Sequence, residues 1–199
     1  MKKGFIRQNF SFLKNLGGFT LLEVLMVTGI IAIMSALVFA NYENRNQQFA
    51  LQRSVYKVAQ DIRKASEMGM SAKEWENTIP KGGYGIYFKE STTTYILFAD
   101  CNDNRVYNST GSATSCEAAT PGQPYPEKVE EIKLEKRVYI QNIEPGSSFS
   151  INFKPPDPKI KITANGATTT DATTTIALET ATTTIRTIHV NKAGLIDID

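Results

Sequence analysis

"GGFTLLEVLMVTGIIAIMSALVFA", residues 17–40, carries one charged side chain, Glu23, in an otherwise apolar run. Residues 24–40 are uncharged, and with residues 19–22 the stretch reaches 22 residues, interrupted only by Glu23. A helix rises about 1.5 Å per residue, so roughly 20 residues cross a hydrocarbon core of about 30 Å. The run is long enough to span. It exceeds the apolar core of about 7–15 residues in an ordinary secretory signal, and no A-x-A-like site follows it. Lys2, Lys3, Arg7 and Lys14 precede it with no acid among residues 1–18, which predicts a cytoplasmic N-terminus. Everything past about residue 42 is then expected outside. Without those four, 18 basic residues face 20 acidic ones, a balance that speaks against a strongly basic, nucleic-acid-binding domain.

A carboxylate deep in lipid costs on the order of 2.5–3.5 kcal/mol and less near the end of a span. Taken alone, Glu23 reads as a residue of the headgroup region. Its neighbours change that reading. Gly18-Phe19-Thr20-Leu21-Leu22-Glu23 resembles the cleavage and methylation motif of type IV prepilins and type II secretion pseudopilins. The resemblance implies cleavage between Gly18 and Phe19 by a prepilin peptidase, N-methylation of Phe19, and a basic leader at 1–18 that is removed. It also implies that Glu23 faces the terminal amine of a neighbouring subunit and sets the axial stagger. Such an ion pair in low dielectric is a poor source of stability and a good register device. The chain departs from many major pilins in having Ala40 where they have proline. That places it nearer the pseudopilins and minor pilins.

Beyond the membrane segment, assigned to 19–42, the helical period continues over 43–76. Leu51, Val55, Val58, Ile62 and Ala65 are spaced 4, 3, 4 and 3 apart and share one face. The pattern fades at Gly69, so one helix is predicted over roughly 20–70. After it the period becomes alternating. "GYGIYFKE" (83–90) and "TTYILFAD" (93–100) read as a hairpin. "EEIKLEKRVYIQNI" (130–143), "SSFSINFKP" (147–155) and the segments "KIKITA", "TTIALET", "TIRTIHV" and "GLIDID" bring the list to about eight short strands. The predicted fold class is α+β: a long N-terminal helix, membrane-spanning in its first half, packed against an antiparallel β-rich domain over 77–199. The order "GYGIYF…YILFADCNDNRVYN" with a tail ending "IHVNKAGLIDI" resembles H-type minor pseudopilins and related minor type IV pilins.

Cys101 and Cys116 fall on the outer side, where a disulfide persists. Compartment, even count and proximity favour a bridge over two free thiols. "DCNDN" sets Asp100, Asn102 and Asn104 at alternate positions, the start of an oxygen-ligand calcium loop. Arg105 stands where glycine is expected and Gly111 where the bidentate acid is expected. An Asx-rich turn is the preferred reading; a Ca²⁺ site completed by a distant carboxylate such as Glu117 is the alternative. No other cofactor is expected.

His189, the single histidine, lies between Ile188 and Val190, and alternation points it to a strand surface. No nucleophile motif accompanies it, and no G-x-x-x-x-G-K-[ST], H-E-x-x-H or C-x-x-C occurs. Enzyme activity is not expected. The threonine triplets at 92–94, 168–170, 173–175 and 182–184 read as polar strand and loop filler, and Asn108-Ser109-Thr110 as a chance glycosylation sequon. "PGQPYPEKVEE" (121–131) and "KPPDPK" (154–159) read as exposed connectors.

The expected partners are a prepilin peptidase, other pilin or pseudopilin subunits in a helical filament, and membrane lipid before assembly. The expected location is the cytoplasmic membrane, single-pass, and then an extracytoplasmic filament. Two alternatives stand beside a structural subunit. One is a DNA-binding minor pilin using Arg186, Lys192, Lys159 and Lys161, which the near-neutral outer domain opposes. The other is a signal-anchored surface domain that never assembles.

Overall fold

The computed structural model describes residues 18–155 and 160–199. The basic leader therefore lies outside the described residues except for Gly18, and so does most of the 154–159 connector, including Lys159. The chain divides into two units, Met1–Glu43 and Asn44–Asp199. Helix α1 runs Leu21–Met70, 50 residues.

Within residues 44–199 the stripe of α1 does what its spacing demands. Leu51, Val55, Val58, Ile62 and Ala65 are all buried, joined by Ala50, Ala59 and Met68. Each buried Leu, Val or Ile is worth about 1.5–3 kcal/mol in transfer free energy. They share one core with strand residues such as Ile86, Phe88, Leu97, Ile151, Ile162, Ile140 and Ile176. Two polar ties supplement the packing. The Tyr95 hydroxyl donates to Asp61 at 2.5 Å, and buried Ser54 Oγ accepts the Glu135 N–H at 3.1 Å.

The helix stops at Met70, where the fading of the pattern at Gly69 puts its end, so residues 71–76 of the segment assigned to its continuation are not helical. Lys73 N–H bonds the Met68 carbonyl and Ala72 N–H the Gly69 carbonyl, with Ala72 at φ 50°. That is the Schellman arrangement, here with alanine in the left-handed position usually given to glycine. Gly69 serves a different end: a Cβ at that position would lie 2.4 Å from the Phe153 carbonyl oxygen. The missing side chain lets the last turn of α1 lie against the strand that holds Phe153.

Ten strands follow among the described residues: β1 Gly83–Lys89, β2 Thr94–Asp100, β3 Lys128–Lys133, β4 Val138–Glu144, β5 Ser148–Phe153, β6 Ile160–Ala164, β7 Ala167–Thr169, β8 Asp171–Leu178, β9 Ala181–Asn191 and β10 Ile196–Ile198. The fold is α+β, as the change of period implies. The predicted hairpin of β1 and β2 is formed in antiparallel register, Gly83 opposite Asp100 and Tyr87 opposite Ile96. Ten strands form among the described residues where about eight were expected, and they do not make one sheet. Two antiparallel sheets share the core, one ordered β3-β2-β1-β5-β6-β7 and the other β10-β9-β8-β4. The stretch 130–143, one apolar-alternating run in sequence, is cut between them. Val138 N–H bonds the Glu135 carbonyl and Arg137 takes φ 66°, so the chain turns and β3 and β4 enter different sheets.

Candidate functional site

The N-terminal apolar segment is built by its own helix start. Gly18, Phe19 and Thr20 precede the helix in non-helical backbone, and Val24 N–H makes the first bond back to the Thr20 carbonyl at 3.2 Å. Thr20 caps the helix: its Oγ1 accepts the Glu23 N–H at 3.2 Å. Thr-x-x-Glu is the pattern of a capping box, in which the acid returns a bond to the cap's N–H. Only half of that box is made. Among the described residues the Glu23 carboxylate has neither a hydrogen bond nor an ion pair. The segment Leu21–Phe39 is long and apolar enough to cross a membrane, and none of it is buried within the protein. Phe19, at the foot of the helix, is 81 % exposed.

The Cys101–Cys116 pair is joined as a disulfide, with Cα atoms 5.0 Å apart. It staples a loop that leaves the end of β2. The polar residues of this loop bond its own backbone. Asp100 Oδ2 accepts the Arg105 N–H at 2.8 Å, Asn102 Oδ1 the Asn104 N–H at 3.1 Å, and Asn104 Oδ1 the Val106 N–H at 2.9 Å. The Asn102 and Asn104 amides both meet that of Asn108, the sequon asparagine. This is the Asx-turn geometry. Glu117 is exposed, and it is its carbonyl, not its carboxylate, that is held, by Lys81 at 2.7 Å. Among the described residues no three His, Cys, Asp or Glu side chains converge as a metal set.

Glu127 is the residue sequence reasoning missed. The connector 121–131 was expected to be solvated, yet Glu127 is fully buried. Its two carboxylate oxygens accept the Cys101 N–H at 3.2 Å and the Asn108 N–H at 2.8 Å, so it ties down both ends of the Asx loop. Burial pushes its pKa up to about 8, with the nearby Asp100 charge adding to the effect. Asp100, equally buried, rises to about 6, again chiefly through burial and then through Asp103. The Asp103 carboxylate itself is held by Lys154 Nζ at 2.5 Å. A proline-flanked acid in a polar stretch carries no local sign that it will be buried.

His189 is exposed on β9, with Nδ1 3.0 Å from Thr173 Oγ1 and Nε2 3.5 Å from Asp199. The three described cations considered for DNA, Arg186, Lys192 and Lys161, do not line one concavity. Lys161 and Lys192 border one concavity, while Arg186 borders another beside α1. Arg186 and Lys192 are six residues apart on and just past β9, about 20 Å along the strand.

Searches of protein-family models, curated proteins and solved structures gave no match to this chain.

Proposed function

We propose that this chain is a structural subunit, a minor pilin or pseudopilin, of a type IV pilus-like or type II secretion filament. The observation that carries the reading is the Glu23 carboxylate, without a partner among the described residues, on an unburied, span-length apolar helix. A charge in that setting needs a counter-charge from outside its own chain. The motif around it names the source: the amine of a neighbouring subunit, freed by cleavage between Gly18 and Phe19 and methylated on Phe19. The non-helical, exposed backbone at 18–20 suits a peptidase, which needs an extended substrate. The helix first resides in the cytoplasmic membrane with its N-terminus inside, and later exchanges lipid for the helices of other subunits. Apolar burial is then preserved on assembly. The bridged cysteines suit an oxidising, extracytoplasmic side for residues 44–199. The scattered cations and near-neutral domain favour protein partners over DNA.

Mass spectrometry of the mature N-terminus, with and without a co-expressed prepilin peptidase, tests the reading. A chain beginning at methylated Phe19 only when the peptidase is present is the expected result. A chain still beginning at Met1 beside an active peptidase overturns it.

A further inference from the structure

Among the described residues four buried side-chain polar atoms make no hydrogen bond: Asp100 Oδ1, Asp103 Oδ1, Asn152 Oδ1 and Arg105 Nε. They belong to one cluster. Asp100 Oδ2 accepts the Arg105 N–H at 2.8 Å and an Asn152 Nδ2–H at 3.2 Å. Arg105 Nε lies 4.0 Å from Asp103 Oδ1, too far for a hydrogen bond. The end of β2, the loop that follows it and β5 thus meet here, and Asp100 and Asn152 are both buried. A Cβ on Gly82 would lie 2.1 Å from Asp100 Oδ2, so bare backbone makes room for this carboxylate.

A buried acceptor left without a partner is costly, and folded proteins pair nearly all of them. The three acceptors here are all oxygens, two from carboxylates and one from an amide. A water has two protons to donate and serves two of the three. A hard cation serves all three at once. Calcium takes six to eight oxygens, mixes carboxylate with amide donors, tolerates irregular geometry and completes its shell with water. Water in that shell also supplies an acceptor for Arg105 Nε. Magnesium demands a near-ideal octahedron and gives up its own waters reluctantly.

The charges point the same way. Burial first, and the Asp103 charge after it, hold Asp100 above the usual carboxylate range. Lys154 Nζ answers Asp103 through Oδ2, at 2.5 Å, and leaves Oδ1 unpaired. The donors are not those of the alternating D-x-N-x-N pattern. Asn102 and Asn104 spend their side-chain oxygens on the N–H groups of Asn104 and Val106. Asn152, 52 residues from Asp100 in sequence, stands in for them.

We propose that Asp100 Oδ1, Asp103 Oδ1 and Asn152 Oδ1 bind a calcium ion where the stapled loop leaves β2. The site lies outside the apolar helix, so it does not depend on the filament reading. With three protein oxygens and Arg105 as a competing cation, the expected Kd is weak, about 10⁻⁴–10⁻³ M. The test is calorimetric titration of the full, chelator-treated chain in detergent with calcium and with magnesium at constant ionic strength, with melting temperatures read in parallel. Calcium is expected to bind and to raise the melting temperature, and magnesium to bind at least about tenfold more weakly. Asp103→Ala, at a partly exposed loop position, is expected to weaken calcium binding at least about tenfold. Asp171→Ala, an exposed acid on β8, is expected to leave it unchanged. Arg105→Gly removes the competing guanidinium at a backbone position of φ 64° that glycine adopts freely, and is expected to tighten binding. No calcium binding up to about 10 mM overturns the proposal in favour of internal water alone. Binding that Asp103→Ala leaves intact, or that Asp171→Ala abolishes, overturns it in favour of diffuse attraction to surface acids. Binding that Arg105→Gly weakens overturns it as well.

Discussion

Replacing Glu23 by glutamine separates the two tasks this residue could perform. Glutamine keeps the length of the side chain and leaves the backbone bond from residue 23 to Thr20 Oγ1 in place. At a helix N-terminus a carboxylate is worth about 0.3–1 kcal/mol through its interaction with the helix dipole. If that is its whole role, incorporation into filaments changes by at most about fivefold. If instead the carboxylate neutralises an amine buried between subunits, its loss strands that charge at about 3–5 kcal/mol, a factor on the order of 100 or more. Thr20→Ala supplies the comparison, because losing the cap costs about 1 kcal/mol and touches no charge. The assay is the ratio of chain in sheared filaments to chain left in the membrane, in cells carrying the peptidase and the companion subunits. The mature N-terminus is sequenced in parallel, so that a processing failure is not mistaken for an assembly failure. Glu23→Gln is expected to lower the ratio by two orders of magnitude and Thr20→Ala by no more than about fivefold. Glu23→Gln filaments within fivefold of the wild type, or equal damage from the two variants, would refute the counter-charge argument.

Two further outcomes follow from the domain. In an exposed helix interior Gly→Ala stabilises by about 1 kcal/mol, but Gly69→Ala is expected to lower the melting temperature, because its Cβ would sit 2.4 Å from the Phe153 carbonyl oxygen and overpacking costs about 1–3 kcal/mol; a raised melting temperature contradicts the close approach. The raised pKa values of Asp100, about 6, and Glu127, about 8, mean that the folded chain holds protons that the unfolded chain releases. Stability is then fully present below the ordinary carboxylate range, falls as pH rises through about 6 and towards about 8, and levels off above. Denaturant midpoints at pH 5, 7 and 9 should decline, with a shallower slope in Asp100→Asn; a midpoint that rises over this range is the contrary result.

Local patterns carried a large part of the fold. The 3.6-residue spacing from Leu51 to Ala65 marked the buried face of α1, and the alternation over 83–100 marked the β1–β2 hairpin, because each pattern records which side of one element must leave water. The alternation of 130–143 was equally legible, yet it could not say that its halves belong to different sheets. The span and its lone acid were readable for the same reason as the stripe. A run of apolar residues needs no partner to be recognised, whereas no group among the described residues pairs with the Glu23 carboxylate.

The sequence by itself determined the apolar span, the amphipathic half of the helix, the change to β structure and the short polar loop between Cys101 and Cys116. Tertiary structure alone decided the division into two sheets, the close approach at Gly69 and the burial of Glu127. The N–H groups that Glu127 holds, those of Cys101 and Asn108, lie 26 and 19 residues before it. No periodicity links residues at such separations; they meet only when the sheets have packed and the loop has folded back across them.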